Sequence, residues 1–402
     1  MNTTPSSTLH FTSTTTSDGI AERTFTLGEI SGVLWSPESA DGAPRLLMGP
    51  GGGLQKYAPG LVSQARRAVA GDGPDDGSAG AASDAPGRGD RPRSDHDQPQ
   101  VDATRWARAA GARALVLGGG GSTGNAWLIG VIAGLFDAGL DVTTADLTIG
   151  TSAGSTAAAQ IAGATPTELL AAILAAAPQQ RTGPVGSDRG RVPIRPVADH
   201  MERISKIIAS AEDAADMRHR MGAAALDMDA ASDGSWQTQW RATVAARLPS
   251  QSWPERTVLI TAVDAHTGDP VAFDRHSGVD LADAVAASCA SGLPYRIGDN
   301  RYIDGGYRRN ENADLAAGYG RVLVLSPFGG RSRHPLDWGM HLAAQVDELR
   351  ARGSRVETIF PDSDFEHMFG VNAMDLSLRP PAARAGYDQG RALAEQLTQF
   401  WR

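Results

Sequence analysis

The apolar residues of this chain gather in short runs that end in glycine. Arg113-Ala114-Leu115-Val116-Leu117 is followed by Gly118-Gly119-Gly120-Gly121-Ser122-Thr123-Gly124, and Asp146-Leu147-Thr148-Ile149 is followed by Gly150-Thr151-Ser152-Ala153-Gly154. Short apolar runs bounded by glycine predict buried strands. Between them Leu128, Val131, Ile132, Leu135 and Phe136 recur at the spacing of one helix face, and Gly139 supplies a stop. The Ala-rich stretch from Ser155 to about Gly163 predicts a second helix. Strand, glycine loop, helix, strand, sharp turn and helix make a βαβα unit, which calls for a parallel sheet.

The pattern continues towards the C-terminus. Residues 165–250 read as mostly helical, with a Gly/Pro/Arg-rich interruption at 183–196 and the pair Trp236 and Trp240; these helices are expected to pack rather than to cap a site. Thr257 to Val263 predicts a strand that turns at Thr267-Gly268-Asp269 and returns as Val271-Ala272-Phe273. A small-residue helix over 281–291 comes next, then Arg301-Tyr302-Ile303-Asp304-Gly305-Gly306. Val322 to Leu325 and Val356 to Phe360 predict two more strands, and a last helix is expected from about Ala383 to Phe400.

Upstream the pattern is weaker. Residues 1–20 read as a disordered tail, and Arg23 to Leu27, Gly32 to Trp35 and Arg45 to Met48 read as β-like fragments. Residues 71–100 contain no Val, Ile, Leu, Met, Phe, Trp, Tyr or Cys. Such a stretch cannot bury enough surface to offset the entropy of ordering it, so it reads as a disordered linker. The expected organisation is an N-terminal extension over 1–70, a linker over 71–110 and one large α/β domain over 111–402.

Composition narrows the function classes. Over 402 residues the net charge is -9, which argues against a general nucleic-acid binder. The single cysteine, Cys289, excludes an internal disulfide and any CxxC cluster, and its small-residue surroundings predict a buried side chain. No uncharged stretch reaches the ~18 apolar residues of a membrane span, and the Thr/Ser-rich start lacks a signal-peptide core. The expectation is a cytoplasmic protein.

The candidate chemistry centres on Ser152. A strand that turns sharply into a helix, with Gly150 and Gly154 letting the turn close, lifts the central Ser out of the backbone as a nucleophile elbow. It also sets Ser152 at a helix N-terminus, where free N–H groups and the dipole favour negative charge. Asp304-Gly305-Gly306 is either an Asp-Gly turn or a placed carboxylate. Gly119-x-Gly121-x-x-Gly124 also fits a dinucleotide fingerprint, but that fold wants an acidic residue where the second strand instead runs into Gly150-Thr151-Ser152. A P-loop is excluded, because no Gly-Lys-Ser/Thr follows the glycines.

The combination of Gly119-Gly120-Gly121-Ser122-Thr123-Gly124, Gly150-Thr151-Ser152-Ala153-Gly154 and Asp304-Gly305-Gly306, with Tyr302-Ile303 before the Asp, Asn310 after it and Ala284 to Pro294 upstream, resembles the patatin-like phospholipases over roughly 113–402. The resemblance implies a three-layer α/β/α fold around a mainly parallel sheet, with the β-rich extension and the linker added in front. It implies a serine acyl hydrolase acting on carboxylic esters of lipids, in which Ser152 is the nucleophile and Asp304 takes its proton. Gly119, Gly120, Gly121 and Ser122 would bind the oxyanion through backbone N–H groups. No cofactor or metal is implied; the partners are a lipid or small ester and, at most peripherally, a membrane. The chain departs from the family at Thr123, where an Arg or Lys is usual. Residues 21–70 resemble the start of an α/β-hydrolase, with Gly51-Gly52-Gly53 after Pro50. Together with His367 this leaves a Ser-His-Asp esterase as the alternative, beside a catalytically weakened lipid-binding homologue.

Overall fold

The computed structural model describes residues 10–17, 20–27, 30–37, 45–48, 112–176 and 197–402. The chain divides into two units, Met1–Gly89 and Asp90–Arg402. The first contains strands β1 (His10–Ser17), β2 (Ile20–Leu27), β3 (Ile30–Pro37) and β4 (Arg45–Met48), joined in that order as an antiparallel sheet. β1 corrects the expectation of a disordered tail over 10–17: its Thr-rich sequence carries β propensity although Phe11 is its one large apolar residue. The linker and the Gly51 to Gly53 loop lie outside the described residues, as does the interruption at 183–196.

The second unit holds an eight-stranded sheet. Its strands are β5 (Arg113–Leu117), β6 (Leu147–Gly150), β7 (Thr257–Asp264), β8 (Pro270–Phe273), β9 (Tyr295–Ile297), β10 (Asn300–Asp304), β11 (Arg321–Leu325) and β12 (Arg355–Ile359). The order is β12-β11-β5-β6-β7-β10-β9, with β8 also on β7. Pairing is parallel from β12 to β7 and antiparallel among β7, β8, β9 and β10. Alternate residues face opposite layers. Leu115 and Leu117 of β5 and Leu323 and Leu325 of β11 enter one apolar core, while Ala114, Val116, Val322 and Val324 enter another. Strands apolar on both sides are what a sheet covered by helices on each face requires.

One face is covered by α1 (Gly121–Asp137), α2 (Ala153–Gly163), α3 (Pro166–Ala175), α6 (Trp236–Ala245), α7 (Leu281–Ser288) and α9 (Arg379–Trp401). The other is covered by α8 (Leu342–Ala351) and the turn at Ala313–Ala316, with α4 (Val197–Ser210) and α5 (Ala214–Ala230) against the antiparallel end. Among the described residues no single helix is long and apolar enough to cross a membrane.

α1 is buried almost all round, not along one face, because α9 lies directly against it. A Cβ on Gly134 would meet Tyr387 O at 2.1 Å and one on Gly390 would meet Val131 O at 2.3 Å, so the two backbones touch where side chains are missing. Phe136, expected in the core, is 37% exposed. Trp240 packs as expected and donates to Ala286 O at 3.1 Å.

Candidate active site

The register of β7 brings two strand ends together. Ile260 pairs with Gly150 of β6 and with Phe273 of β8; Ala262 pairs with Asp304 of β10 and with Val271 of β8. β8 holds one edge throughout, so the ends of β6 and β10 share the other, two residues apart along β7. The parallel β6 arrives from one side and the antiparallel β10 from the other, and both finish there. Ser152 and Asp304, 152 residues apart in sequence, are therefore set down side by side.

Ser152 caps α2 with φ 51° and ψ -115°. Only Ser152 and Asn312 have positive φ among the described non-glycine residues. Such a conformation costs about 1–3 kcal/mol and persists only where the surroundings enforce it. Here Ser152 N–H donates to Ser288 Oγ at 2.9 Å, while Ser152 O accepts from Ser155 Oγ at 2.6 Å and Cys289 Sγ at 3.2 Å. Gly154 lets the turn close, since a Cβ there would fall 1.9 Å from Leu117 O.

Asp304 is buried. Burial pushes its pKa up to about 6, against hydrogen bonds from the Gly306 N–H and from Ser152 that favour the carboxylate. The Gly306 N–H lies 2.8 Å from Asp304 Oδ1. Burial, with the nearby Asp304 charge, pushes the Cys289 thiol up to about 11, so it stays protonated beside the serine.

A polar network lies behind this pair. Thr261, between the two strand ends, is 2.9 Å from Thr151 through their hydroxyls. Asn312, fully buried and left-handed at φ 53°, donates through Nδ2 to Thr151 Oγ1, Thr261 Oγ1, Gly305 O and Arg309 O at 2.7–3.3 Å. Its neighbour Glu311 is a buried carboxyl that accepts from Asn310 Nδ2 at 2.9 Å and Ser326 Oγ at 2.7 Å; burial raises its pKa. Asp314 is pulled the other way: burial would raise its pKa, but the Arg308 and Arg309 guanidiniums outweigh it and hold the carboxyl well below the usual range.

The glycine loop crosses in front of Ser152. Gly118 N–H donates to Leu325 O and Gly119 N–H to Asn310 O, each at 3.0 Å. Gly119 is thus corrected from oxyanion donor to anchor, because its N–H is already engaged. Thr123 N–H is taken by Ala373 O and Gly124 N–H by Gly120 O. The N–H groups of Gly120, Gly121 and Ser122, and that of Ala153 after the serine, have no partner among the described residues. Gly121 sits at φ 63°, where an added Cβ would meet Ala373 O at 2.8 Å. Thr123 is buried with its hydroxyl towards Ala373 O, and the cation at the loop comes instead from Arg379, whose Nη1 reaches Ser122 O at 2.7 Å. His367 is exposed, and its Nδ1 lies 3.1 Å from Asp364 O, three residues back in its own turn.

Ser152, Asp304, Gly120, Gly121 and Ser122 were legible from motifs. Thr261, Asn312 and Arg379 were not; each is an ordinary residue until the fold brings it to the site. The patatin-like phospholipase family model matches residues 115–317, half of the chain. No curated protein matches. Among solved structures the chain is similar to VipD from Legionella pneumophila, at 14% identity and a TM-score of 0.34, over 72% of this chain and 68% of that one.

Proposed function

This chain belongs to the patatin-like phospholipase family, and from that membership we propose that it is a serine acyl hydrolase that opens carboxylic ester bonds of lipids through Ser152 and Asp304. The observation that carries the reading is the Ser152 hydroxyl, on a backbone held at φ 51°, hydrogen-bonded to a buried carboxyl whose pKa is pushed up to about 6. A carboxylate with an ordinary pKa is a weak base; one lifted towards neutrality is better matched to take a proton near pH 7.

Ser152 Oγ attacks the ester carbonyl carbon while its proton passes to Asp304. The carbonyl oxygen becomes an oxyanion facing the unengaged N–H groups of Gly120, Gly121 and Ser122, with that of Ala153 at the start of α2. Collapse breaks the bond to the alkoxide, which leaves with the proton from Asp304, and an acyl ester remains on Ser152. Asp304 then takes a proton from water, whose oxygen attacks the acyl carbon; the acid leaves and Ser152 Oγ recovers its hydrogen.

The test is reaction with a fluorophosphonate, read by intact mass. Labelling is expected in wild type and in His367→Ala, absent in Ser152→Ala and strongly slowed in Asp304→Asn. Loss of labelling in His367→Ala would install a Ser-His-Asp esterase in its place. Folded wild type that never labels would make the protein a lipid-binding homologue.

A further inference from the structure

Arg379, the first residue of α9, meets the glycine loop across 257 residues of sequence. Its Nη1 donates to Ser122 O at 2.7 Å and to Ser122 Oγ at 3.1 Å, and its Nη2 donates to Asn125 Oδ1 at 3.2 Å. Ser122 and Asn125 are three apart on α1 and so share a face. Asn125 Nδ2 in turn donates to Gln160 Oε1 at 2.9 Å and to Ala153 O at 3.5 Å, both on α2. One guanidinium and one amide therefore tie the helix that begins at the glycine loop to the helix that begins at Ser152. A planar fork with fixed donors suits this better than a flexible ammonium.

Its charge is the less expected part. Among the described residues no carboxylate lies within ion-pair distance of Arg379. Burial, and then the like charge of Arg247, lowers its pKa. The guanidinium also stands at the N-terminal end of α1, where the helix dipole is already positive. Two positive fields in one partly dry place are unfavourable at rest and become favourable when negative charge forms beside them.

Resting on the acyl-hydrolase reading, we propose that Arg379 is a positioning residue for the reaction: it holds Gly120, Gly121 and Ser122 in place and lends its charge to the oxyanion they face. It acts through the loop, touching Ser122 and Asn125 and not the substrate.

The test compares Arg379→Lys with Arg379→Gln in the full chain. Lys keeps the charge and gives up the fork; Gln keeps a donor and gives up the charge. The readouts are the second-order rate of fluorophosphonate labelling, kcat and KM on a short p-nitrophenyl ester, and the thermal midpoint. Arg379→Gln is expected to slow labelling and kcat about 10- to 100-fold, less than outright loss of an oxyanion donor, with KM within about twofold. Arg379→Lys is expected to recover most of that loss. A wild-type rate in Arg379→Gln, or equal losses in both variants that follow the fall in thermal midpoint, would overturn the inference. Wild type that labels while Arg379→Gln does so unchanged sinks this inference alone; wild type that does not label sinks the Ser152 reading and this one with it.

Discussion

The Thr151 and Thr261 hydroxyls lie 2.9 Å apart, and Asn312 Nδ2 donates to both. Thr151 is the residue before Ser152, and Thr261 separates the β7 positions paired with Gly150 and Asp304. The small polar core thus sets the spacing of Ser152 and Asp304. Thr261→Val keeps the shape and removes the oxygen, leaving Thr151 and Asn312 short of a buried partner. A loss of about 1–3 kcal/mol in stability is expected from that unsatisfied group. Denaturant unfolding beside kcat on an ester is the measurement; Thr261→Ser, which restores the hydroxyl, should return both towards wild type.

The pH profile follows from Asp304. In the proposed mechanism its carboxylate accepts the proton from Ser152, which makes the protonated form inactive. With its pKa pushed up to about 6, labelling and kcat/KM should rise with pH through about 6 and level off above it. A buffer series from pH 4.5 to 8 tests this. A midpoint near the ordinary carboxylate value of about 4 would mean that Asp304 is solvated in the working enzyme.

The same shift makes Asp304 a cost to the fold. Its folded pKa lies above its usual 3.8, so between those values the folded protein binds the extra proton. Its contribution is therefore most favourable at low pH and falls as pH rises from about 4 through about 6. Two pK units correspond to about 3 kcal/mol. Asp304→Asn should abolish turnover yet unfold at higher denaturant than wild type at pH 8, with the gap shrinking towards pH 4. An equal gap at both pH values would assign the gain to something other than this titration.

Much of this site could be read before the fold was known, and the reason is local. An elbow needs small residues on either side of its serine, so Gly150, Ser152 and Gly154 declare themselves within five positions. Apolar runs such as Leu115 to Leu117 declare buried strands in the same way. What could not be read depends on partners brought from elsewhere. Nothing near Gly119 says that Asn310 O will take its N–H, and nothing near Thr123 says that a guanidinium will arrive from residue 379. Phe136 obeys the helical spacing of its neighbours but lies in the last turn of α1 and stays 37% exposed. Asn312 is polar, buried and left-handed, and only its four acceptors explain it.

The strain at Ser152 can be measured by two substitutions that both remove the hydroxyl. Ser152→Ala keeps a side chain at φ 51°, whereas Ser152→Gly relieves it. Relief of about 1–3 kcal/mol is set against about 0.5–1 kcal/mol of extra freedom that glycine loses on folding. Ser152→Gly should therefore be the more stable of the two by about 1 kcal/mol, with both inactive. If the alanine variant is the more stable, the elbow is not under strain.

The loop after Asp304 is held by charge. Arg308 grips Asp314 with both terminal nitrogens, at 2.6 and 3.0 Å, and Arg309 bridges Asp314 at 3.4 Å and Glu348 at 3.0 Å. This cluster fixes the residues that present Asn310 and Asn312 to the glycine loop and to Thr261. Removing one member of a buried ion group leaves its partners uncompensated, which costs about 3–5 kcal/mol. Asp314→Asn should lose stability on that scale, and part of the activity with it, because Arg308 and Arg309 would both lose the carboxylate they share. Asp314→Glu keeps the charge on a longer stem and is expected to fall between wild type and Asn. Unfolding curves for the three proteins decide the matter: an Asp314→Asn loss under about 1 kcal/mol would show that the cluster is solvated and contributes as a surface ion pair does.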